Sequence, residues 1–334
     1  MNTTNFEKII SVDNLLLVWK EFLRGKRNKK DVQEFQLHLM DNVLSLNNDL
    51  KNKTYVHGGY HAFNISDPKP RNIHKASVRD RLLHHAIYRI LYLHFDKKFI
   101  SDSFSCRLNK GTHKAINRFH DFSRKVSKNN TKTCSVLKCD IKKFFANIDH
   151  NILKKILSKC LFDTEVIWLL SQVIDSFETP NHIYAIADIC KKGLPLGNLT
   201  SQLFANIYMN EFDHFVKREL KVKYYIRYAD DFVILSDSKG YLETLRPNIS
   251  DFLEKELKLR LHPEKVFIKT IASGVNFLGW VHFPKHRVLR TSTKRKMFRN
   301  IKNNQKPETV QSYLGMLSHG DGYKIRSLIE KILL

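Results

Sequence analysis

The stretch KYYIRYADDFVIL at residues 223–235 places two adjacent carboxylates inside a run of aromatic and aliphatic side chains. The β-branched and aromatic residues on either side of Asp230 and Asp231 predict two β-strands. A carboxylate pair buried within a strand would be costly unless a cation lay beside it. A hairpin avoids this cost, because its turn carries both carboxylates to the edge of the sheet. From this stretch alone, an ordinary Asp-rich turn is the alternative.

The charge of the chain indicates a polyanionic partner. The 334 residues include 57 Lys and Arg against 33 Asp and Glu, which gives a formal net charge of +24. Clustered cationic side chains bind phosphates and release counterions, although a solubilising or ribosomal-type excess would have the same composition. A hydrophobic fraction of 42% is sufficient for a substantial core.

The five cysteines form no CxxC pair, so the sequence predicts neither a zinc site nor a disulfide framework. Cysteines without a disulfide framework favour a protein of the reducing cytoplasm. The opening residues MNTTNFEKII lack the basic and apolar regions of a signal peptide. We also find no apolar run long enough to cross a membrane, and therefore expect no membrane partner.

Hydrophobic periodicity predicts helices at both ends of the chain. Apolar positions three and four apart predict amphipathic helices in residues 1–50, with NLLLVWKEFL and VQEFQLHLMDNVLSL as the clearest stretches. The tail from Lys285 contains no acid as far as Lys306 and is predicted to be helical. The absence of repeats and low-complexity linkers predicts one compact, multi-lobed unit.

The middle of the chain is predicted to mix strands and helices. Residues 57–74 are rich in Gly and Pro and predict a hairpin with loops, and residues 80–95 predict a helix. Residues 134–150 predict a strand that ends at Asp140 and is followed by a turn and a helix. Residues 195–220 predict a loop that opens a long helix, with Asn198 or Thr200 as its cap, and VNFLGWVHF predicts a further strand.

The order of strand, helix and hairpin predicts that three carboxylates converge. This order is typical of a split βαβ sheet with two central strands side by side, which would bring Asp140 next to Asp230. Three carboxylates in one place repel one another and require cations. Oxygen ligands without Cys or His indicate Mg²⁺. Two Mg²⁺ ions about 3.5–4 Å apart can stabilise the attacking and leaving oxygens of an in-line phosphoryl displacement.

The motif YADD in an apolar hairpin resembles the active-site motif of reverse transcriptases, and Asp140 in KCDIKKFFANIDH matches their first catalytic aspartate. The resemblance continues in chain order from about residue 55 to the C-terminus. Two stretches resemble fingers motifs, one resembles the template-gripping loop and helix, and two resemble palm motifs, of which the second is the primer grip. They are KPRNIHKASVRDRLLHHAI (69–87), SFSCRLNKGTHKAI (103–116), GLPLGNLTSQLFANIYMNEFD (193–213), LKLRLHPEKVFI (257–268) and VNFLGWVHF (275–283).

This resemblance implies an α+β fold of right-hand polymerase architecture, with fingers, a ferredoxin-like palm and a helical thumb. It divides the chain into an N-terminal helical extension at 1–50, fingers at 51–135, a palm at 136–284 and a basic helical thumb at 285–334. The palm segment includes a fingers insertion, the YADD hairpin and the primer grip.

The resemblance also implies roles for the catalytic residues. Asp140 and Asp230 would bind two Mg²⁺ ions, for which Mn²⁺ can substitute, with Asp231 as a supporting metal-site and catalytic residue. The Ile141 carbonyl would complete the coordination of one ion. Lys265 would stand near the leaving pyrophosphate as an acid, with a plain surface lysine as the alternative.

Nucleotide and nucleic-acid contacts are implied at further positions. Phe145 would lie under the sugar as a steric gate that favours deoxynucleotides, with simple core packing as the alternative. Lys69, Arg71 and Arg107 would hold the triphosphate or make general backbone contacts. The contacts to template and primer would come from Ser201, Gln202, Phe277, Leu278, Gly279, Trp280, Arg287, Arg290, Lys294 and Arg295.

One departure from the family pattern indicates a subfamily. Most reverse transcriptases have Gln before the Gly of the template-gripping loop and Pro after its Ser, whereas LPLGNLTSQ has Leu196 and Gln202 at these places. This pattern resembles the reverse transcriptases of diversity-generating retroelements, which copy a template RNA with errors at adenines. Leu196 and Gly197 would contact the nucleotide, and because Leu196 offers no amide, base-pair selection would be looser.

Other assignments stay open at this point. An antiphage-defence reverse transcriptase shares the length and charge, and a retron or group II-like enzyme is possible, although a group II protein is expected to continue past the thumb. A non-catalytic RNA-binding protein with a relic polymerase fold is the alternative from a different class.

The implied partners are template RNA, an RNA/DNA primer duplex and deoxynucleoside triphosphates. Diversity-generating systems resemble one another in using a small basic helical accessory protein, so we expect one here. The resemblance further implies a cytoplasmic protein encoded by a bacterium, an archaeon or a phage.

Overall fold

The computed structural model describes residues 4–66, 70–179 and 191–333, and the chain divides into two compact units. Both units are assembled from segments that are distant in the chain, because strands and helices far apart in sequence share each core. The first unit, unit 1, comprises Met1–Ile100, Lys142–Phe215 and Phe252–Arg260. The second, unit 2, comprises Ser101–Ile141, Val216–Asp251 and Leu261–Leu334.

Helices and strands alternate irregularly along the described residues, as in an α+β fold. The strands are β1 (Tyr60–Ile65), β2 (Arg71–Ala76), β3 (Ser135–Asp140), β4 (Tyr225–Tyr228), β5 (Asp231–Ser236), β6 (Phe267–Thr270), β7 (Val275–Phe277), β8 (Trp280–His282) and β9 (Arg287–Leu289). The helices are α1 (Asn5–Ile10), α2 (Val12–Phe22), α3 (Lys30–Leu37), α4 (Leu39–Lys51), α5 (Val78–Asp96), α6 (Thr112–Val126), α7 (Phe144–Asn147), α8 (His150–Cys160), α9 (Thr164–Asp175), α10 (Leu199–His214), α11 (Lys239–Leu257), α12 (Thr291–Asn303), α13 (Pro307–Leu317) and α14 (Tyr323–Leu333). None of the described helices combines the length and apolarity needed to cross a membrane.

Unit 1 packs its N-terminal helices on α5. A capping box at Thr4 and Glu7 begins α1, and the Ser11 side chain caps α2. The helical stretch predicted from Val32 onward is broken at His38, whose non-helical backbone separates α3 from α4.

The β1–β2 hairpin of unit 1 is anchored to α5 through a buried carboxylate. Asp80 accepts hydrogen bonds from the Tyr55 hydroxyl at 2.7 Å, the Ser77 hydroxyl at 2.6 Å and the Gly58 amide at 3.1 Å. A Cβ on Gly58 would lie 2.8 Å from an Asp80 oxygen, so this approach requires glycine. The buried Asp80 carboxylate is satisfied by these donors and holds the start of the hairpin.

Unit 2 contains an antiparallel sheet of order β4-β5-β3-β6. Helix α6 packs against β4 and β5, and a buried apolar cluster that includes Phe119, Val136 and Val233 fills this side of the sheet. The strand predicted to end at Asp140 and the predicted hairpin are both confirmed as β3 and as β4–β5.

A second sheet of unit 2, with the order β7-β8-β9, corrects two sequence predictions. The stretch 275–283 was predicted to be one strand, but left-handed backbone at Leu278 (φ 50°) and Gly279 (φ 86°) reverses the chain between β7 and β8. The tail from Lys285 was predicted to be helical, but its first part forms β9 before α12 begins. Pairing with β8 therefore overrides local helix propensity at β9.

Candidate active site

The YADD motif forms the tight turn of the β4–β5 hairpin. Tyr228 pairs with Asp231, which leaves Ala229 and Asp230 as the two turn residues. Ala229 has a φ of 55°, and both common two-residue hairpin turns require a positive φ at this position. The aromatic and aliphatic residues of both strands are buried except for the half-buried Tyr228, so the apolar pairing places the turn at the end of the sheet.

Strand β3 brings the third aspartate to the same end of the sheet. Asp140 is the cross-strand partner of Asp231, and the next amide, that of Ile141, donates to the Asp230 carbonyl at 3.2 Å. The Asp140 carbonyl in turn accepts a hydrogen bond from the His262 amide at 2.8 Å. The sequence predicted Asp140 beside Asp230, and the register adds that Asp231 lies directly opposite.

Each of two aspartates is paired with a lysine. The Lys138 Nζ lies 3.3 Å from Asp231 Oδ1, and the Lys265 Nζ lies 3.2 Å from Asp140 Oδ1. Burial raises the pKa of the Asp231 carboxyl to about 6, while Lys138 opposes that rise and the negative charges of Asp140 and Asp230 add to it. Lys138 was not predicted from the sequence, although its position two residues before Asp140 in an apolar strand places both side chains on one face.

The donors at this end of the sheet are chemically suited to a hard divalent cation. They are carboxylate oxygens and main-chain carbonyls, and among them Asp231 Oδ1 is buried with the Lys138 ammonium 3.3 Å away. Among the described residues, no three Asp, Glu, His or Cys side chains are arranged as a ready metal cluster. Asp140 and Asp231 each form an ion pair with a lysine instead. The oxygen ligands are therefore chemically suited to a divalent cation, but in this structure two of the three carboxylates are paired with ammonium groups.

In unit 1, the predicted nucleotide loop is bound to strand β2. The Leu196 carbonyl accepts from the His74 amide at 2.9 Å, and the Asn198 side chain donates to the His74 carbonyl at 3.0 Å. Gly197 has a φ of 108°, and a Cβ there would lie 2.9 Å from Ile73 Cγ2. Asn198 stands at the cap position of α10 as predicted, but its side chain makes no capping bond and holds β2 instead.

The other predicted nucleotide contacts are placed as follows. Phe145 is half-buried against Phe144, with ring centroids 5.4 Å apart. Arg71 is exposed at the end of β2. Arg107 is half-buried and donates to the Ser103 carbonyl at 3.0 Å. Lys69 lies outside the described residues.

The predicted template and primer contacts differ in exposure. In α10, Ser201 is buried and Gln202 is half-buried. At the β7–β8 hairpin, Phe277 and Trp280 are buried in two different apolar clusters of unit 2. The half-buried Leu278 and Gly279 form the turn.

The predicted thumb cations also divide into two groups. Arg287 donates to Asn117 Oδ1 at 2.8 Å and to the His319 carbonyl, and its guanidinium lies over the Trp280 ring. Arg290 and Arg295 are exposed, and Lys294 is half-buried. Arg287 is therefore bound within unit 2, whereas Arg290 and Arg295 face solvent.

The chain is similar to known reverse transcriptases in sequence. A family profile described as reverse transcriptase (RNA-dependent DNA polymerase) matches residues 65–282. Protein YkfC of Escherichia coli (strain K12) is 26% identical over 257 residues, covering 67% of this chain and 65% of YkfC. The group II intron-encoded protein LtrA of Lactococcus lactis subsp. cremoris is 23% identical over 274 residues, covering 64% of this chain and 44% of LtrA. The chain thus spans less than two thirds of the length of these curated relatives.

The fold is similar to that of a solved polymerase. The structure of apo telomerase from Candida tropicalis superposes with a TM-score of 0.54 at 15% identity, covering 79% of this chain and 57% of that chain. At this identity the likeness shows the fold, which is the α+β right-hand polymerase fold predicted from the motifs. Because the family profile covers more than half of the chain, and its range includes all three aspartates, the chain belongs to the reverse transcriptase family.

Proposed function

We propose that this protein is an RNA-directed DNA polymerase that copies template RNA into cDNA. The observation that carries the proposal is the register that sets Asp140 opposite Asp231, with the Ile141 amide bonded to the Asp230 carbonyl. Asp140, Asp230 and the Ile141 carbonyl are the groups that would hold divalent ions. When bound, Mg²⁺ or Mn²⁺ supplies charge stabilisation to an in-line phosphoryl displacement.

We propose Lys265 as the proton donor to the leaving group. This role is supported by its ammonium, which lies 3.2 Å from Asp140 Oδ1, and by its side chain, which is 45% exposed. From the resemblance to the family alone, we also propose Phe145 as a steric gate and Arg71, Arg107 and Lys69 as phosphate contacts.

Primer extension tests the enzymatic assignment. A DNA primer annealed to an RNA template should be extended with deoxynucleotides in Mg²⁺ or Mn²⁺, and chelation of the divalent ions should stop extension. Retention of the template–primer duplex without extension in either metal would favour the non-catalytic RNA-binding alternative.

We further propose that the enzyme is the error-prone reverse transcriptase of a diversity-generating retroelement. The support is Leu196, which stands where most of the family has glutamine. Its main chain is held on β2 by the His74 amide. A change of side chain at 196 can therefore alter contacts to a nucleotide without releasing the loop. This assignment carries the expectation of a small basic helical accessory protein.

A second candidate is favoured by the relatives. LtrA is a group II intron-encoded protein, and a putative COX1/OXI3 intron 2 protein of Saccharomyces cerevisiae is 21% identical over 332 residues. By this similarity the chain would be an intron-type reverse transcriptase. Antiphage-defence and retron enzymes are grouped with this second candidate, because for all of them we expect accurate copying opposite template adenines.

Leu196→Gln is expected to lower the error rate opposite template adenines without abolishing synthesis. A glutamine amide can hydrogen-bond the sugar or template backbone, and a poorly shaped base pair would lose that bond in the transition state. Each ~1.4 kcal/mol of added discrimination lowers the error rate about tenfold. Sequencing of cDNA made by both forms on one adenine-containing RNA measures the effect.

Leu196→Met is the matched control, because it keeps an apolar side chain of similar volume and should remain error-prone. Accurate copying at adenines by the wild type would contradict the retroelement assignment and favour the second candidate. An error-prone wild type with an equally error-prone glutamine variant would contradict only the role of Leu196.

A further inference from the structure

Lys138 and Asp231 form a fixed pair on one face of the unit 2 sheet. Asp140 pairs with Asp231 and Lys138 pairs with Val233, so Lys138 stands diagonally across from Asp231. Alternate residues of a strand share a face, which places the side chains of Lys138, Asp140 and Asp231 together. The 3.3 Å distance from Lys138 Nζ to Asp231 Oδ1 agrees with this register.

The pair is shielded from solvent and its backbone is held on both sides. The Lys138 and Asp231 side chains are only 15% and 20% exposed. Strand β3 lies between β5 and β6, with Lys138 opposite both Val233 and Phe267. Attraction between charges in such a position is screened much less than at the surface.

Lys265, the lysine that pairs with Asp140, differs from Lys138 in its exposure to solvent and in its place in the fold. Lys265 is 45% exposed and lies outside the strands, where its amide closes a turn onto the His262 carbonyl at 3.2 Å. The Lys265 side chain can leave Asp140 by rotation into solvent. The Lys138 side chain is only 15% exposed and extends from a strand that is paired on both edges, so its rotation into solvent is more restricted.

We propose that Lys138 is a positioning residue that neutralises Asp231 and thereby directs divalent ions onto Asp140 and Asp230. This inference rests on the proposed function, which supplies the ions. An ammonium 3.3 Å from Asp231 Oδ1 occupies the place that a cation would take at that oxygen, and it repels a cation that approaches. Asp231 consequently acts through charge and position rather than as a full ligand.

Lys138→Met tests the proposal, because methionine keeps much of the apolar stem and removes the charge. The variant is expected to bind Mg²⁺ about tenfold more tightly in calorimetry, since Asp231 becomes available and a repulsive charge is lost. Primer extension should nevertheless slow, because the ions are no longer confined to Asp140 and Asp230. A structural role alone would slow extension without tightening Mg²⁺ binding.

Two control variants separate charge from packing. Lys138→Arg keeps the positive charge and should restore the wild-type Mg²⁺ affinity. Lys269→Met removes an exposed lysine from β6, opposite Val136, and should leave Mg²⁺ binding unchanged. Equal Mg²⁺ affinity in Lys138→Met and wild type would overturn the proposal.

A double-variant cycle tests whether Lys138 acts through Asp231. In an Asp231→Asn background, Lys138→Met should lose most of its gain in Mg²⁺ affinity. An undiminished gain would mean that Lys138 acts on the ions directly, which also overturns the proposal. If Lys138→Met unfolds without metal, the Mg²⁺ concentration that restores folding gives the same readout, and a failure of Mg²⁺ to restore it counts against the proposal.

The behaviour of the wild type separates a failure of the proposed polymerase function from a failure of the proposed role of Lys138. A wild type that neither binds Mg²⁺ nor extends a primer contradicts the proposed function itself. A wild type that does both, with a Lys138→Met variant of unchanged Mg²⁺ affinity, contradicts only the role of Lys138.

Discussion

Asp230→Asn is expected to reduce DNA synthesis by about a thousandfold or more, while RNA binding stays within about twofold of wild type. Asp230 occupies the hairpin turn, and asparagine has nearly the same volume and tolerates turn conformations. The hairpin and its buried strands should therefore persist. The variant lacks the negative charge that would hold a divalent ion, whereas we expect RNA affinity to come from cationic side chains spread over the chain.

Asp237→Asn is the matched control for this experiment. Asp237 is exposed directly after β5, so the control makes the same chemical change at the other end of the same strand. It should extend a primer at the wild-type rate. Substantial divalent-dependent extension by purified Asp230→Asn protein would contradict the metal-binding role of Asp230.

Removing the exposed cations of α12 is expected to weaken template–primer binding about a hundredfold at ~0.1 M salt. Arg295, Arg299 and Lys302 are exposed at spacings of four and three, while Met297 and Ile301 are buried on the same helix. This spacing makes one cationic face. If each side chain neutralises one phosphate, the triple glutamine variant should lower the salt slope of log affinity by about 2 to 3, equally for all sequences.

A triple variant of equal charge provides the comparison. Lys8, Lys155 and Lys159 are exposed on α1 and α8, so replacing all three by glutamine changes the net charge by the same amount. Its salt slope should be close to that of wild type. An unchanged slope in the α12 variant would mean that this face does not contact nucleic acid and would favour a protein partner there. Arg287 is left intact in both variants because it is bonded to Asn117 and the His319 carbonyl.

The elements around the carboxylates were predictable because their signals are local. Tyr225 to Tyr228 and Phe232 to Leu235 are β-forming residues on both sides of a two-residue turn, and they form the expected hairpin. The strand that ends at Asp140 is likewise a short apolar run bounded by turn residues. Motif order then sufficed to predict the right-hand polymerase fold.

Several interactions were not predictable, because they depend on which segments meet. Asn198 has the pattern of a helix cap, yet its side chain bonds the His74 carbonyl 124 residues away in sequence. The residues of β9 belong to the basic tail that was predicted to be helical. In the structure they pair with β8 and bury Leu289. A local pattern is overridden where a tertiary contact offers a better-satisfied backbone or a buried side chain.

The sequence by itself determined that this chain carries three aspartates at strand ends in the order of the reverse transcriptase motifs, because hydrophobic runs and turn residues specify strands and hairpins locally. Only the tertiary structure decided that Asp140 lies opposite Asp231 and that Lys138 accompanies Asp231. A shift of one residue in the β3–β5 register would turn every side chain of β3 to the other face of the sheet. The buried apolar residues of both faces exclude that shift, and thus the packing of the core sets which charges meet at the end of the sheet.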